Sequence, residues 1–369
     1  MPKTKSKRIF YFDALRALAI ISVLSFHIFG CTSHLATKEF VTGPTLNWII
    51  DCFIGSSNIG VDLFLMLSGA LSLGRVWDIK SFLAKRLPRI TAPFLFWGFV
   101  LGTLMFLSLA YVPDILGRFI PGVSSFSVYG YLSYMYGVYM ATNTGTSQYW
   151  FFWMILGTYL IMPVLNKWLL HSELSEAEYF LGLWLVTCVC TYTLNIEIPL
   201  KLDYFAGTIG LVVLGYYLRH TQRKLLNNPY FDLALVIASY VASMYVMYLG
   251  FTPGDAIIGT NNRLSIFIVL KSIGIFLLFK NFDKFNLNLD FLSGPVEKFK
   301  KAVFSLAKYS YGMYLNHIFI MLVLLHYIKP MTNYLEVLVI MFIGLVGISW
   351  LSMALLNRIA YLNQVIGAK

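Results

Sequence analysis

Charge is scarce in this sequence: Asp, Glu, Lys and Arg make up 12% of its 369 residues against 58% hydrophobic, and the mean hydropathy is +0.71. So little charge cannot cover a water-soluble globule of this length, and the expected solvent is a lipid bilayer. Cysteine is also scarce. The four cysteines show no C-x-x-C spacing and the six histidines no H-x-x-x-H spacing, so no metal site is expected. Cys188 and Cys190 point to different faces of one helix, while Cys31 and Cys52 fall near the outer ends of the first two spans, where a bridge and two buried thiols both stay open. No basic module stands outside the apolar runs, so the net charge of +11 speaks to membrane orientation, and no nucleic acid is expected as a partner. With no tandem repeat, low-complexity linker or extramembrane domain, residues 1–369 are expected to form a single membrane domain behind a short basic tail, 1–9. The tail and the apolar stretch after it do not make a signal peptide, because Asp13 and Arg16 interrupt that stretch and many further spans follow.

Apolar runs at 10–30, 56–73, 91–111, 149–169, 179–194, 203–218, 232–250, 264–280, 302–326 and 335–356 predict an all-α polytopic bundle. The count is about ten transmembrane helices, which puts both termini on one side. With that side cytoplasmic, the inner segments hold 20 of the 28 Lys and Arg residues, the bias that cytoplasmic loops show. The acidic segment 171–178 also falls inside by parity, but acidic residues contribute little to orientation. The longest outer loop, 112–148, carries Tyr129, Tyr131, Tyr134, Tyr136 and Tyr139, which suit either an interfacial aromatic belt or stacking on sugar rings.

Ionisable side chains inside a bilayer are costly and each calls for a partner, a cavity or a function. The first span carries Asp13, Arg16 and His27. Eleven residues at 100° each bring Arg16 and His27 to nearly the same face, about 16 Å apart along the axis. Asp13 is the natural ion-pair partner of Arg16 near the inner surface. A cation at cytosolic depth and an imidazole towards the outer leaflet suit transfer across the membrane, with Arg16 on a phosphate and His27 as a base; an interfacial ion pair and a polar tie between helices are the plainer alternative. After the second span, Lys85-Arg86-Leu87-Pro88-Arg89 sets two guanidiniums three residues apart in an inner loop, fit for phosphates or lipid headgroups. The second span reads Gly60-Val61-Asp62-Leu63-Phe64-Leu65-Met66-Leu67-Ser68-Gly69, placing Asp62 in the outer half where it can orient His27, and Ser68 with Gly69 where helices pack closely. Ser72 misses the nucleophile-elbow spacing by one position. Further on, Tyr314 and His317 lie in the ninth span, His317 reading as a satisfied hydrogen-bonding histidine, and Trp150 opens the fourth at the outer interface.

In this order, Arg16-x10-His27, Gly60-Val61-Asp62-Leu63-Phe64 with Leu67-Ser68-Gly69, and Arg86-x2-Arg89 resemble the integral membrane acyltransferase 3 family, which includes bacterial O-acetyltransferases of surface polysaccharides. Tyr149-Trp150-Phe151 with Tyr159 and Pro163, and Ser310-Tyr311-Gly312-Met313-Tyr314-Leu315 ending in His317, extend the resemblance over residues 9–356. It implies an acyl-coenzyme A donor, usually acetyl and sometimes succinyl. Arg16, Arg86 and Arg89 are then the donor-side residues, His27 the essential histidine, and a carbohydrate hydroxyl at the far side of the cell membrane the acceptor. Ala70 stands where a bulky aromatic often follows Ser-Gly in the family, which alters the local pocket. The sequence ends without the soluble hydrolase-like domain fused to some members, so any extracytoplasmic transfer partner is expected to be separate or unnecessary. A transporter of polysaccharide or lipid-linked sugar shares the spans and the aromatic loop, but has no need of a coenzyme A site.

Overall fold

The computed structural model describes residues 8–39, 44–117, 123, 126–196, 199–204, 207–249, 262–285, 293–328 and 334–368. Most of the basic tail 1–9 lies outside the described residues. Among those described there is no strand. Fourteen helices follow in order: α1 Phe10–Glu39, α2 Pro44–Ser57, α3 Gly60–Ser72, α4 Ile79–Tyr111, α5 Pro113–Leu116, α6 Val128–Tyr139, α7 Trp150–His171, α8 Leu174–Cys190, α9 Ile209–His220, α10 Pro229–Tyr248, α11 Ile266–Asn281, α12 Ser293–Ile328, α13 Tyr334–Leu356 and α14 Leu362–Val365. Each of the apolar runs read from the sequence coincides with one of them. Among the described residues seven segments, Phe10–Thr32, Asp51–Ser72, Ile79–Tyr111, Thr144–His171, Pro229–Tyr248, Gly294–Ile328 and Tyr334–Leu356, are long and apolar enough to cross a membrane. The other three expected spans fall on α8, α9 and α11, of 17, 12 and 16 residues, shorter than the roughly 20 residues of a full crossing.

Three stretches differ from expectation. Residues 79–90, read as part of the inner loop between two apolar runs, are the first turns of α4, which continues through both Pro88 and Pro93. Asp78 caps its start, accepting from the Ser81 N–H at 3.0 Å. Proline removes a donor and loosens the helix around it; near these positions the Tyr311 hydroxyl donates to the Ile90 carbonyl at 2.9 Å. Within the tyrosine-rich outer loop, Ser127 caps the unexpected helix α6 by accepting from the Gly130 N–H at 3.1 Å. Helix α2 is likewise an addition to the expected set.

The contacts gather into two compact units. The first contains the start of α1 through Ile20, Asn58–Ser72 and Ser172–Ala307. Its tightest feature is the pairing of α3 with α9. A methyl group on Gly69 would lie 1.8 Å from the Val212 carbonyl oxygen, and one on Gly215 would lie 1.9 Å from that of Met66, so each helix meets the other's backbone at a glycine. In the same unit Glu178 accepts from Arg223 at 2.7 Å and from the Tyr217 hydroxyl at 2.8 Å. The acidic first turns of α8 are thereby tied to the basic segment after α9.

The second unit contains Ile21–Ser57, Leu73–His171 and Lys308–Lys369. Phe94 of α4 stacks on Phe152 of α7 at 3.7 Å between ring centres, and Trp97 donates to the Ile366 carbonyl at 3.1 Å. Asn166 of α7 closes the turn after α3, accepting from the Gly74 N–H at 2.8 Å and donating to the Arg75 carbonyl at 2.9 Å. Cys31, Cys52, Cys188 and Cys190 are all free thiols.

Candidate active site

Helix α1 is unbroken from Phe10 to Glu39, so Arg16 and His27 do share one helix. At its first turn, in the first unit, Asp13 is 94% buried and shared between two arginines. Arg16 lies 3.6 Å away, but Arg8 is the closer partner, donating through both Nε and Nη2 at 2.6 and 3.0 Å. That hydrogen bond holds the Arg8 guanidinium above its ordinary range. Arg8 also stands over the Phe304 ring at 4.2 Å. The consequence for Arg16 is a partly exposed guanidinium that shares its carboxylate with a neighbour. Arg219, at the end of α9, adds a third guanidinium here: it donates to the Ala70 carbonyl at 2.5 Å and stands over Phe12, one turn before Arg16 on the same face of α1.

Asp62 is fully buried in the first unit. Its ionic neighbour is Arg263, at 3.8 Å, and neither carboxylate oxygen has a hydrogen-bond partner among the described residues. Removing one member of such a pair strands the other's charge, at a cost of about 3–5 kcal/mol. Asp62→Ala should therefore lower the unfolding temperature of the purified protein, and Asp62→Ala/Arg263→Ala should regain part of that loss. A double variant less stable than either single one contradicts the pairing. Ser68 donates back to the Phe64 carbonyl at 2.9 Å, and Gly69 is taken up by the α3–α9 contact.

In the second unit His27 and His317 come together, 5.0 Å between ring centres and tilted by 49°. His27 is half-buried and His317 has no exposed surface. The 3₁₀ turn Thr144–Tyr149 is packed against this part of α12: Tyr314 donates to the Gln148 carbonyl, and Tyr149 donates to the Leu315 carbonyl at 3.3 Å. Non-helical backbone at membrane depth is tolerated where protein covers it or where it borders a polar cavity. The buried Oε1 of Gln148 has no hydrogen-bond partner among the described residues. Trp150, by contrast, begins α7 with 44% of its surface exposed.

Arg86 and Arg89, one helical turn apart on α4, are half-buried and exposed respectively, with Arg86 at 5.8 Å over the Phe82 ring. At 33 residues α4 is about 50 Å long, more than a hydrocarbon core of about 30 Å, so its basic first turns extend beyond that core. The arginines stand on a rigid helix instead of a loop.

Apolar helices of spanning length, with ionisable side chains held inside them, define a multi-pass helical membrane protein with a polar site. Residues 9–354 match the acyltransferase 3 family, described as an acyltransferase domain. The chain belongs to that family, and it is a membrane acyltransferase. No curated protein and no solved structure matches it. The partners that sequence reasoning missed, Arg8 for Asp13, Arg263 for Asp62 and His317 for His27, carry no local signal except that each is a costly polar group within or beside an apolar run.

Proposed function

We propose that the enzyme transfers an acyl group, most simply acetyl, from cytosolic acyl-coenzyme A to a hydroxyl of a cell-surface or lipid-linked carbohydrate beyond the cell membrane. The observation that carries this reading is the unbroken α1, with the Asp13–Arg16 pair in its first turns and His27 three turns on, beside the buried imidazole of His317. Arg16, Arg86 and Arg89 bind the phosphates of the donor at the cytoplasmic side, where both termini lie. His27 removes the proton from the acceptor hydroxyl as its oxygen attacks the thioester carbonyl. The carbon–oxygen bond forms, the carbon–sulfur bond breaks, and His27 returns the proton to the departing thiolate. Asp62, in its ion pair with Arg263, is assigned an electrostatic supporting role, and Trp150 an interfacial one. Any transfer partner outside the membrane would act after this step.

Guanidinium–phosphate bonds are charge-assisted and count for about 1.5–3 kcal/mol each. Arg86→Ala and Arg89→Ala should each weaken acetyl-coenzyme A binding about tenfold or more, read as a smaller thermal shift of the purified protein when the thioester is titrated in. Lysine at these positions should restore only part of the affinity, because it lacks the fork. Unchanged affinity in the Arg16, Arg86 and Arg89 variants together would remove the donor site from this place.

A further inference from the structure

We propose that His317 is the positioning partner of His27, accepting a hydrogen bond from it through Nε2 and so fixing which nitrogen of His27 acts as the base. The inference rests on the reading of His27 as the base. Nδ1 of His317 lies 2.6 Å from the Tyr314 carbonyl oxygen. A carbonyl can only accept, so Nδ1 carries the proton and Nε2 carries the lone pair. That Nε2 is completely buried and has no hydrogen-bond partner among the described residues. A histidine kept only as a tie would use its second nitrogen on another helix; here the bonds made run to the backbone of Tyr314 and Met313, three and four positions earlier on the same helix. The His27 ring lies beside the His317 ring, at 5.0 Å between centres. A nitrogen–nitrogen hydrogen bond of about 3 Å, plus a ring radius of about 1.1 Å at each end, needs a similar spacing, so a turn of the His27 ring closes the bond. Such bonds often tighten only when substrate is bound.

The pair has a chemical consequence. With one N–H given to His317, the other nitrogen of His27 is left unprotonated to face the acceptor hydroxyl. When it takes that proton, the imidazolium keeps its bond to the His317 lone pair, which favours the charged form in the transition state. A carboxylate does this work in hydrolytic triads. A neutral imidazole does it without placing a second full charge inside the bilayer. His317 never touches the thioester and acts only through His27.

Two substitutions separate this role from a structural one. In His317→Asn the side-chain amide can still donate to the Tyr314 carbonyl, but it stops short of the Nε2 position. In His317→Gln an acceptor oxygen reaches that position. The assay uses radiolabelled acetyl-coenzyme A supplied to inverted membrane vesicles from cells lacking the native copy, with label counted in carbohydrate. His317→Gln should keep kcat within about fivefold of the native enzyme, whereas His317→Asn should lose about 30–100-fold in kcat with the KM for the thioester within about twofold. Equal rates for the two variants, or full activity of His317→Asn, overturn the proposal. Thermal unfolding of each purified variant checks the fold. If His317→Asn alone fails to fold, His317→Gln decides: within fivefold of native supports the pairing, and a rate as low as His27→Ala overturns it. Failure of both to fold also overturns it, since His317 is then a structural residue. No label with the native protein, or full labelling by His27→Ala, removes the base reading itself. An inactive His27→Ala beside equal Asn and Gln variants removes the pairing alone.

Discussion

Replacing His27 with alanine should abolish acylation of the carbohydrate acceptor, with a fall in rate of about 10²–10⁴-fold, the range that a positioned general base supplies. The fold should survive. His27 is only half-buried, and its ring meets those of its neighbour Phe26 and of His317. The packing of this part of α1 falls instead to residues such as Ile20, Leu24 and Ile28, which are essentially inaccessible. Thermal unfolding in detergent should therefore move by a few degrees at most while transfer is lost, and donor binding, assigned to arginines elsewhere, should persist. That combination of bound thioester and missing product separates loss of a base from loss of the protein. An alanine variant that acylates at the native rate would take His27 out of the chemistry.

Larger in its effect on the protein is any side chain at Gly69 or Gly215. Each glycine receives the partner helix's backbone, with 1.8 and 1.9 Å left for an added methyl group. Backbone cannot rotate aside as a flexible side chain does, so the whole α3–α9 pair must separate. Both glycines lie on the same interface, and the contact they permit is the small-residue packing on which membrane helices depend where lipid removes the hydrophobic drive. Overpacking a core generally costs about 1–3 kcal/mol, and a clash with rigid backbone on both helices belongs at or above the top of that range. Gly69→Val and Gly215→Val should give little monodisperse protein in detergent. Gly69→Ala should fold with a clearly lowered unfolding temperature. Native yield and stability for both valine variants would contradict the packing.

The helices were readable because a bilayer imposes a simple rule on composition: each long apolar run in the sequence is a helix in the structure. Arg16 and His27 on one helix followed from the same rule and eleven residues of spacing. The ends of the elements were less readable. Residues 79–90 fell between two apolar runs and read as a loop, yet α4 begins there at a capped turn and carries Arg86 and Arg89 on its surface. The tyrosines of 129–139 looked like an aromatic loop, yet all five lie on α6, with Tyr131, Tyr134 and Tyr139 packed against rings of α4. Least readable were pairings across long stretches of sequence. His27 meets His317, which lies 290 positions further along, and Asp62 meets Arg263, 201 positions further along. A single sequence holds no trace of which distant polar group will arrive beside which, because that is settled by helix packing and not by periodicity. Arg8 was missed for a different reason: Arg16 offered the better helical spacing to Asp13, while Arg8 lies just before the helix and reaches back to it.

The most direct measurement is mass spectrometry of surface carbohydrates from cells with the gene, without it, and complemented by the native or the His27→Ala enzyme. The account predicts an ester-linked acyl group, acetyl in the simplest case, that disappears with the gene, returns with the native enzyme and does not return with the alanine variant. Surface carbohydrate whose acylation is identical in all four strains would contradict it.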